Sequence, residues 1–436
     1  MGRFQRLADV AEITMGQSPP GYTCNTDGIG VPLLNGPTEF GPHHPHPVQY
    51  TTDPRKRAYP GDILFCVRGS TTGRMNWADR EYAIGRGVAA IRHREHPELQ
   101  PLVRAVIEHA LPDLLAQATG STFPNVSYDL LATIPWPSLP LSEQRAIAHI
   151  LGTLDDKIER LRRMSETLEE MARAIFKAWF VDFLPVRAKM ESRWKRVRSL
   201  PGLPAEGLGT LPSFYDLFPD RLVPSELGEI PEGWEVVSLA DVIDINPPRS
   251  LQRGQIAPYL DMANMPTRGH VPETVKERRY TGSGTRFING DTLLARITPS
   301  LENGKTAFVD FLEDGQVGWG STEYIVLRPK PPFPEVFAYC LARNESFREF
   351  AIQSMTGTSG RQRVQPSALA HYWLVRPPAI LAQRFGDVAN SLFARAKIAM
   401  EEARTLAALR DALLPKLIRG EIRVKDAEKF LEHAGA

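Results

Sequence analysis

The sequence predicts an α+β fold with a pseudo-twofold internal repeat: two similar α/β units, each followed by a long helix. Three observations predict it. Short sequence blocks recur roughly 230 to 240 residues apart. Each copy opens with Gly- and Pro-punctuated runs of β-formers. Each copy closes with apolar residues at heptad spacing. Leu7-Ala8-Asp9-Val10-Ala11-Glu12-Ile13 returns as Leu239-Ala240-Asp241-Val242-Ile243-Asp244-Ile245, and Pro60-Gly61-Asp62-Ile63-Leu64-Phe65 as Asn289-Gly290-Asp291-Thr292-Leu293-Leu294. Thr119-Gly120 and Gln144-Arg145 return as Thr356-Gly357 and Gln383-Arg384. A solenoid repeats every 20–50 residues or so, so this longer period marks duplication of a domain-sized unit, suited to reading two sites a fixed distance apart.

In chain order, residues 1–140 form the first unit. Runs such as Ile63-Leu64-Phe65-Cys66-Val67 read as strands, with helix around Pro101–Gln117. Residues 141–184 form the first long helix, with Ser142 as N-cap and Glu143 in the first turn, where the helix dipole favours an anion. Ile147, Leu154, Leu161, Leu168 and Ile175 fall seven apart. Leu151, Ile158, Ala172 and Trp179 fill the companion slot, with Ser165 its one polar member. Mixed charges on the other faces complete the pattern of a coiled-coil seam. A helix from Ser142 to Phe180 would be roughly 55–60 Å long; it pairs with the second long helix or, less simply for this pattern, packs on its own unit. Residues 185–228 form a basic, Pro/Gly-rich connector, most simply a solvated linker. Residues 229–378 form the second unit, with strand Tyr324-Ile325-Val326-Leu327 and helix around Pro334–Gln353. Residues 379–436 form the second long helix and tail. There Phe385, Leu392, Ala399, Leu406 and Leu413 are seven apart, and Ala389, Ala396, Ala403 and Leu417 accompany them. Pro415 should kink or end this helix and Gly420 should stop it.

With 436 residues, 42% hydrophobic and 24% charged, the composition is that of a globular protein of several domains. No run approaches the roughly 20 apolar residues of a membrane helix, and the first residues read as no signal peptide. Cys24, Cys66 and Cys340 are far apart, which argues for a reducing, cytoplasmic setting and against a disulfide framework or zinc finger. The formal net charge is +1, from 52 basic and 51 acidic residues. Nucleic-acid contact is then local, or another subunit neutralises much of the phosphate.

Several motifs point to catalysis and fail. Asn246-Pro247-Pro248-Arg249 is similar to the catalytic loop of adenine-N6 methyltransferases, but Arg249 stands where an aromatic should stack on the base, and no Gly-rich methyl-donor loop precedes it. Gly304-Lys305-Thr306 lacks the P-loop's earlier glycine, since Pro299 occupies that place. His43, His44 and His46 share a proline-rich loop without a Cys, Asp or Glu at tight ligand spacing. No catalytic residue and no metal site is expected. A self-contained methyltransferase on the Asn246 loop and a coiled-coil adaptor touching only protein are the rival readings.

Two donor-rich loops sit at matching places in the copies. Arg68, Ser70, Thr71, Thr72, Arg74 and Asn76 follow the apolar run of the first; Arg296, Thr298, Ser300, Asn303 and Lys305 follow that of the second. Thr122 and Asn125 match Thr358, Arg361 and Arg363. These side-chain types read base edges and hold phosphates. Each loop alone could be a polar surface turn; paired recurrence with diverged identities favours one scaffold reading two different sequences.

Three further segments are informative: Phe176-Lys177-Ala178-Trp179-Phe180-Val181-Asp182-Phe183, Ser225-Glu226-Leu227-Gly228-Glu229-Ile230-Pro231-Glu232-Gly233-Trp234 and Leu413-Leu414-Pro415-Lys416-Leu417-Ile418-Arg419-Gly420-Glu421-Ile422. With them, the chain resembles, over essentially its whole length, the specificity subunit of type I restriction–modification systems. The resemblance implies two target-recognition domains, each reading half of a split, asymmetric DNA site, and an antiparallel coiled coil that fixes the half-site spacing. It implies a non-catalytic chain that binds double-stranded DNA and two methyltransferase subunits, and joins restriction subunits where these exist. S-adenosylmethionine, ATP and Mg would belong to those partners, with no cofactor on this chain and no membrane contact. The first unit departs from the pattern: it lacks the Pro-Glu-Gly-Trp opening, which puts the packing of its first strand in doubt.

Overall fold

The structure, a computed structural model, describes residues 5–41, 43–69, 71–118, 124–191, 215–272 and 274–422. It divides into two compact units, one formed by the chain up to Arg160 together with the segment from Glu402, the other by Leu161–Glu401.

Each unit holds a four-stranded antiparallel sheet of the same order. In the first it runs Ala11–Met15, Val88–His93, Ile63–Cys66, Met75–Trp77. In the second it runs Ile243–Ile245, Tyr324–Pro329, Thr292–Ala295, Thr306–Phe308. The inner strands are buried on both faces, which is why they read as unbroken apolar runs. A second sheet also recurs. Its order is Cys24–Asn25, Gln49–Thr51, Val31–Leu34, Tyr82–Ile84, Arg57–Ala58 in the first unit, and Lys276–Arg279, Ile256–Leu260, Gly318–Gly320, Thr285–Phe287 in the second. In both, one pair is parallel: Val31–Leu34 with Tyr82–Ile84, and Ile256–Leu260 with Gly318–Gly320. Among the described residues the first unit alone adds an outer strand, Cys24–Asn25.

The repeated blocks are structural devices. Leu7–Val10 and Leu239–Val242 are short helices whose third residue, Asp9 or Asp241, accepts the N–H of Arg6 or Ser238 at 2.8 Å. In the Gly-Asp blocks, Gly61 and Gly290 take φ of +86° and +84°, a region open to glycine. Asp62 then accepts the N–H of Tyr59 and a two-pronged bond from Arg92; Asp291 accepts that of Ile288 and bonds from Arg249 and Arg328. The unit openings differ as the sequence implies. Glu235–Ser238 pairs with Trp373–Arg376 in the second, whereas among the described residues the first shows the bridge of Arg6 with Pro135, flanked by Trp136 N–H donating to Gln5 O at 2.9 Å. The described start of the first unit is therefore paired at Arg6.

The first long helix spans Leu141–Phe180 and the second Ala379–Ile418. Residues 141–160 of the former and 402–418 of the latter belong to the first unit, where Arg410 meets Asp155 at 2.6 Å and Lys157 meets Glu402 at 3.0 Å. In the second unit Phe385 packs on Phe176, Trp179 and Phe180, with centroids 5.3–6.3 Å apart. Within each unit the two helices thus run antiparallel.

Five expectations need correction. The first helix begins one residue early, so Ser142 lies inside it, and the N–H groups of Glu143 and Gln144 both donate to Pro140 O. Pro415 does not end the second helix, which continues to Ile418 before Gly420 at φ +68°; only its own donor is lost, and Arg419 N–H still reaches Pro415 O at 3.2 Å. Third, Ile147, Leu151, Leu154, Ile158, Leu161, Ser165, Ala172 and Trp179 are buried, but Leu168 and Ile175 are only half-buried, and Glu169 and Phe176 take their inward places. A straight helix drifts by ~20° per heptad against a strict 3.5-residue period, so after three heptads the inward stripe has moved one residue along. Leu392 likewise yields to Phe393, while Phe385, Ala389, Ala396, Ala399, Ala403, Leu406, Leu413 and Leu417 are buried. Fourth, the connector is structured at its described ends, as the helix Leu184–Met190 and the hairpin Leu222–Ser225/Gly228–Pro231. Its middle, 192–214 with the Lys195–Arg198 run, lies outside the described residues, as do 423–436 of the tail. In the second unit, the sequence expectation of one helix resolves into two, Val336–Ala342 and Glu345–Gln353.

Candidate nucleic-acid interface

The two loops that the sequence singles out meet in each unit, in the same register. In the first, Val126 N–H donates to Val67 O at 2.8 Å and Arg68 bridges Asn125. In the second, Val364 N–H donates to Arg296 O at 2.9 Å and Ile297 bridges Arg363. Both junctions sit where the central strand of the four-stranded sheet ends. They form one surface feature per unit, made from residues far apart in sequence. Ser70 and Thr122 lie outside the described residues.

The hairpin behind each junction shows which donors are already engaged. Cys66 N–H bonds Arg74 O, and Ala295 N–H bonds Lys305 O, so Arg74 and Lys305 are equivalent. They also do the same job. The Arg74 guanidinium donates to Phe40 O at 2.9 Å and to Pro37 O and Gly41 O at 3.4 Å; the Lys305 ammonium donates to Met262 O at 2.5 Å and Ala263 O at 3.4 Å. Each ties down a neighbouring loop. Asn76 is buried at 1% exposure with its amide on Gly41 O, and Thr72 donates to Gly69 O and Pro124 O.

Arg363 is likewise engaged: its Nε and Nη2 grip the Glu323 carboxylate at 2.7–3.0 Å and its Nη1 reaches Arg361 O. Arg296 Nε stands 3.4 Å from the same carboxylate. The bond from Arg363, with the charges of Arg363 and Arg296, holds the Glu323 carboxyl below its ordinary range, so it stays anionic and braces both arginines. Thr298 donates its N–H to Gln362 O, and Ser300 O accepts from Lys305 N–H.

What remains outward is a smaller set. Arg68, Thr71, Asn303, Thr358 and Arg361 are exposed, with Asn125 half-exposed beside Arg68. Arg361 lies near the tip of the hairpin formed by Met355–Thr356 and Arg363–Val364. Among the described residues no hydrogen bond or ion pair holds the Arg68 or Arg361 guanidinium. Glu323 was invisible to sequence reasoning, because a single glutamate after Ser321-Thr322 carries no motif.

The other motifs resolve as scaffold. Asn246 adopts φ +53° and its Oδ1 accepts the Val326 N–H at 2.9 Å; Arg249 donates to Asp291 at 2.9 Å. The Asn-Pro-Pro-Arg loop is thus a turn pinned to a strand, with its would-be base-stacking position bound to an aspartate. His44 Nδ1 stands 2.9 Å from Trp77 O, and among the described residues no three His, Cys, Asp or Glu side chains converge as a metal site would require. The described residues include no helix long and apolar enough to cross a membrane.

Comparison with known proteins bears on this arrangement. Residues 3–170 match the family model of the type I restriction modification DNA specificity domain. A candidate specificity subunit of the type I restriction enzyme MjaX of Methanocaldococcus jannaschii is 37% identical over 38% of this chain and 38% of its own length. The MjaIX specificity subunit of the same organism is 26% identical over 70% of this chain and 65% of its own. The match therefore spans less than two thirds of either relative. The HindI specificity subunit of Haemophilus influenzae is 23% identical over 71% of this chain and 73% of its own. In fold, the S subunit of a type I restriction-modification system from M. genitalium superposes with a TM-score of 0.50 at 16% identity, covering 95% of both chains. Repeated sheets, paired helices and these relatives agree: residues 3–170 match the type I restriction modification DNA specificity domain, and the chain is similar in sequence and fold to type I specificity subunits.

Proposed function

We propose that this chain is the non-catalytic, sequence-reading subunit of a type I system, with each unit reading one half of a bipartite, asymmetric DNA site. The observation that carries the reading is the paired junction, built identically in both units and presenting different outward side chains: Arg68, Thr71 and Asn125 in one, Asn303, Thr358 and Arg361 in the other. A shared frame with divergent donors suits one recognition task performed on two sequences. Of the wider set read from the sequence, Arg74, Asn76, Thr72, Lys305, Arg296 and Arg363 act as braces behind that surface. Two methyltransferase subunits would supply S-adenosylmethionine chemistry on a flipped adenine, and restriction subunits would add ATP- and Mg-dependent steps. This chain would supply the address. The long helices, each continuing from one unit into the other, would set the spacer between half-sites.

The test is to map methylated positions in a host carrying the chain and its methyltransferase partner, for the wild type and Arg361→Ala. The reading predicts a two-part site in the wild type. In the variant, one base position of one half-site relaxes, by about 1–3 kcal/mol of discrimination. Loss of preference in both halves together, or an undivided site, would contradict it.

A further inference from the structure

The second sheet of the second unit ends in an exposed, basic edge that has no counterpart among the described residues of the first unit. Lys276–Arg279 is an edge strand, paired among the described residues with Ile256–Leu260 alone, and all four of its residues are exposed. Lys276, Arg278 and Arg279 put three positive charges against one negative, Glu277, on four residues, with Asp261 near enough for Lys276 and Arg278 to help hold its carboxyl low, in a chain whose formal net charge is +1. The two arginines are oriented rather than neutralised. The Arg278 guanidinium lies over the Tyr259 ring, 4.3 Å from its centroid, and Arg279 Nη1 donates to Gly254 O at 2.9 Å. Among the described residues no carboxylate lies within ion-pair distance of Lys276, Arg278 or Arg279. Arg253, also exposed, adjoins Gly254 at the Arg279 end.

The strand is also tied to the recognition loops. Lys276 pairs in register with Tyr259, and that neighbouring strand leads through Asp261 into Met262 and Ala263, whose carbonyls hold Lys305 of the recognition hairpin. The matching strand of the first unit, Gln49–Thr51, carries no charge and is covered by Cys24–Asn25.

Resting on the reading above, we infer that Lys276, Arg278 and Arg279 form a phosphate-backbone contact that is particular to the second unit. Basic side chains on an edge strand also deter unwanted strand pairing, but a single lysine suffices for that. Three cations beside a recognition loop, two of them pre-oriented, suit the evenly charged backbone of a duplex. Such a contact raises affinity without choosing sequence, and reveals itself through counterion release.

The experiment uses the complex of the full chain with its methyltransferase subunits and a duplex bearing the mapped site, with affinity measured across a potassium chloride series. The triple variant Lys276→Ala/Arg278→Ala/Arg279→Ala should give a shallower plot of log affinity against log salt, by about 2–3 in slope at ~0.9 per lost phosphate contact. The mapped half-sites should not change. A charge-keeping variant, Lys276→Arg/Arg278→Lys/Arg279→Lys, should restore the slope. An unchanged slope in the triple variant overturns the inference. So does loss of the methyltransferase subunits from the triple variant with the slope intact, since the strand would then be a protein-docking edge. A wild-type complex without sequence preference would instead sink the reading it rests on, while the slope comparison stays measurable on any duplex.

Discussion

At the scale of single residues, the same polar side chain can read DNA or hold the reader still, and only its partners distinguish the two. Arg74 and Lys305 look like readers in sequence, yet both spend their charge on backbone carbonyls of an adjacent loop. Carbonyl partners leave no trace in sequence, because every residue offers one. That is why residue types in these loops were legible and their roles were not. Arg74→Ala and Lys305→Ala should each destabilise the protein by about 1–3 kcal/mol, the usual cost of losing a hydrogen bond to a charged group. Denaturant unfolding of the variants checks this, and the mapped half-sites should keep their bases. Unchanged stability with a relaxed base position would return these residues to the reading set. Arg361 shows the opposite case: it is exposed and unheld among the described residues, so its effect should fall on sequence choice.

At the scale of elements, the long helices were legible because apolar heptads dominate their pattern, and the drift of their inward stripe was not. Its clearest consequence is Glu169, which lies in the stripe at 1% exposure. The carboxylate accepts the Tyr339 hydroxyl at 2.7 Å and stands 3.6 Å from Arg173, with His270 at 3.9 Å. Burial pushes the Tyr339 phenol well above its ordinary pKa, so it remains a proton donor to Glu169. Tyr339 also accepts from Arg343 Nε, whose other nitrogens hold the carbonyls of Thr267, Gly269, Gly304 and Thr306. Through this network the helix grips the loop bearing Lys305. Glu169→Ala should cost about 1–3 kcal/mol, because it removes the buried acceptor of the Tyr339 hydroxyl, and Glu169→Gln, which keeps an acceptor for Tyr339, should cost less. Thermal unfolding of the two variants decides; equal, small effects would mean that the network contributes little. Within the aromatic segment Phe176–Phe180 the heptad placed Trp179 alone, and the structure gives the others a physical role as well: Phe176, Trp179 and Phe180 surround Phe385 in the core of the second unit.

At the scale of the whole molecule, duplication was the most legible feature, because glycine-dependent turns and capping carboxylates tolerate few substitutes. Gly61 and Gly290 with their aspartates, and Asp9 and Asp241, mark equivalent places although most of the chain between them has diverged. What stayed illegible was asymmetry between the units: the covering strand Cys24–Asn25 in one and the open basic edge Lys276–Arg279 in the other. Strand neighbours are set by tertiary pairing, which a residue pattern does not encode. The central claim is that two readers share one pair of helices that sets their separation. Deleting seven residues from the facing segments of both helices removes ~10.5 Å, close to about three base pairs of duplex. The account predicts that the mapped site keeps both half-site sequences and shortens its spacer by about that amount; retention of the original spacer by an assembled, active complex would contradict it.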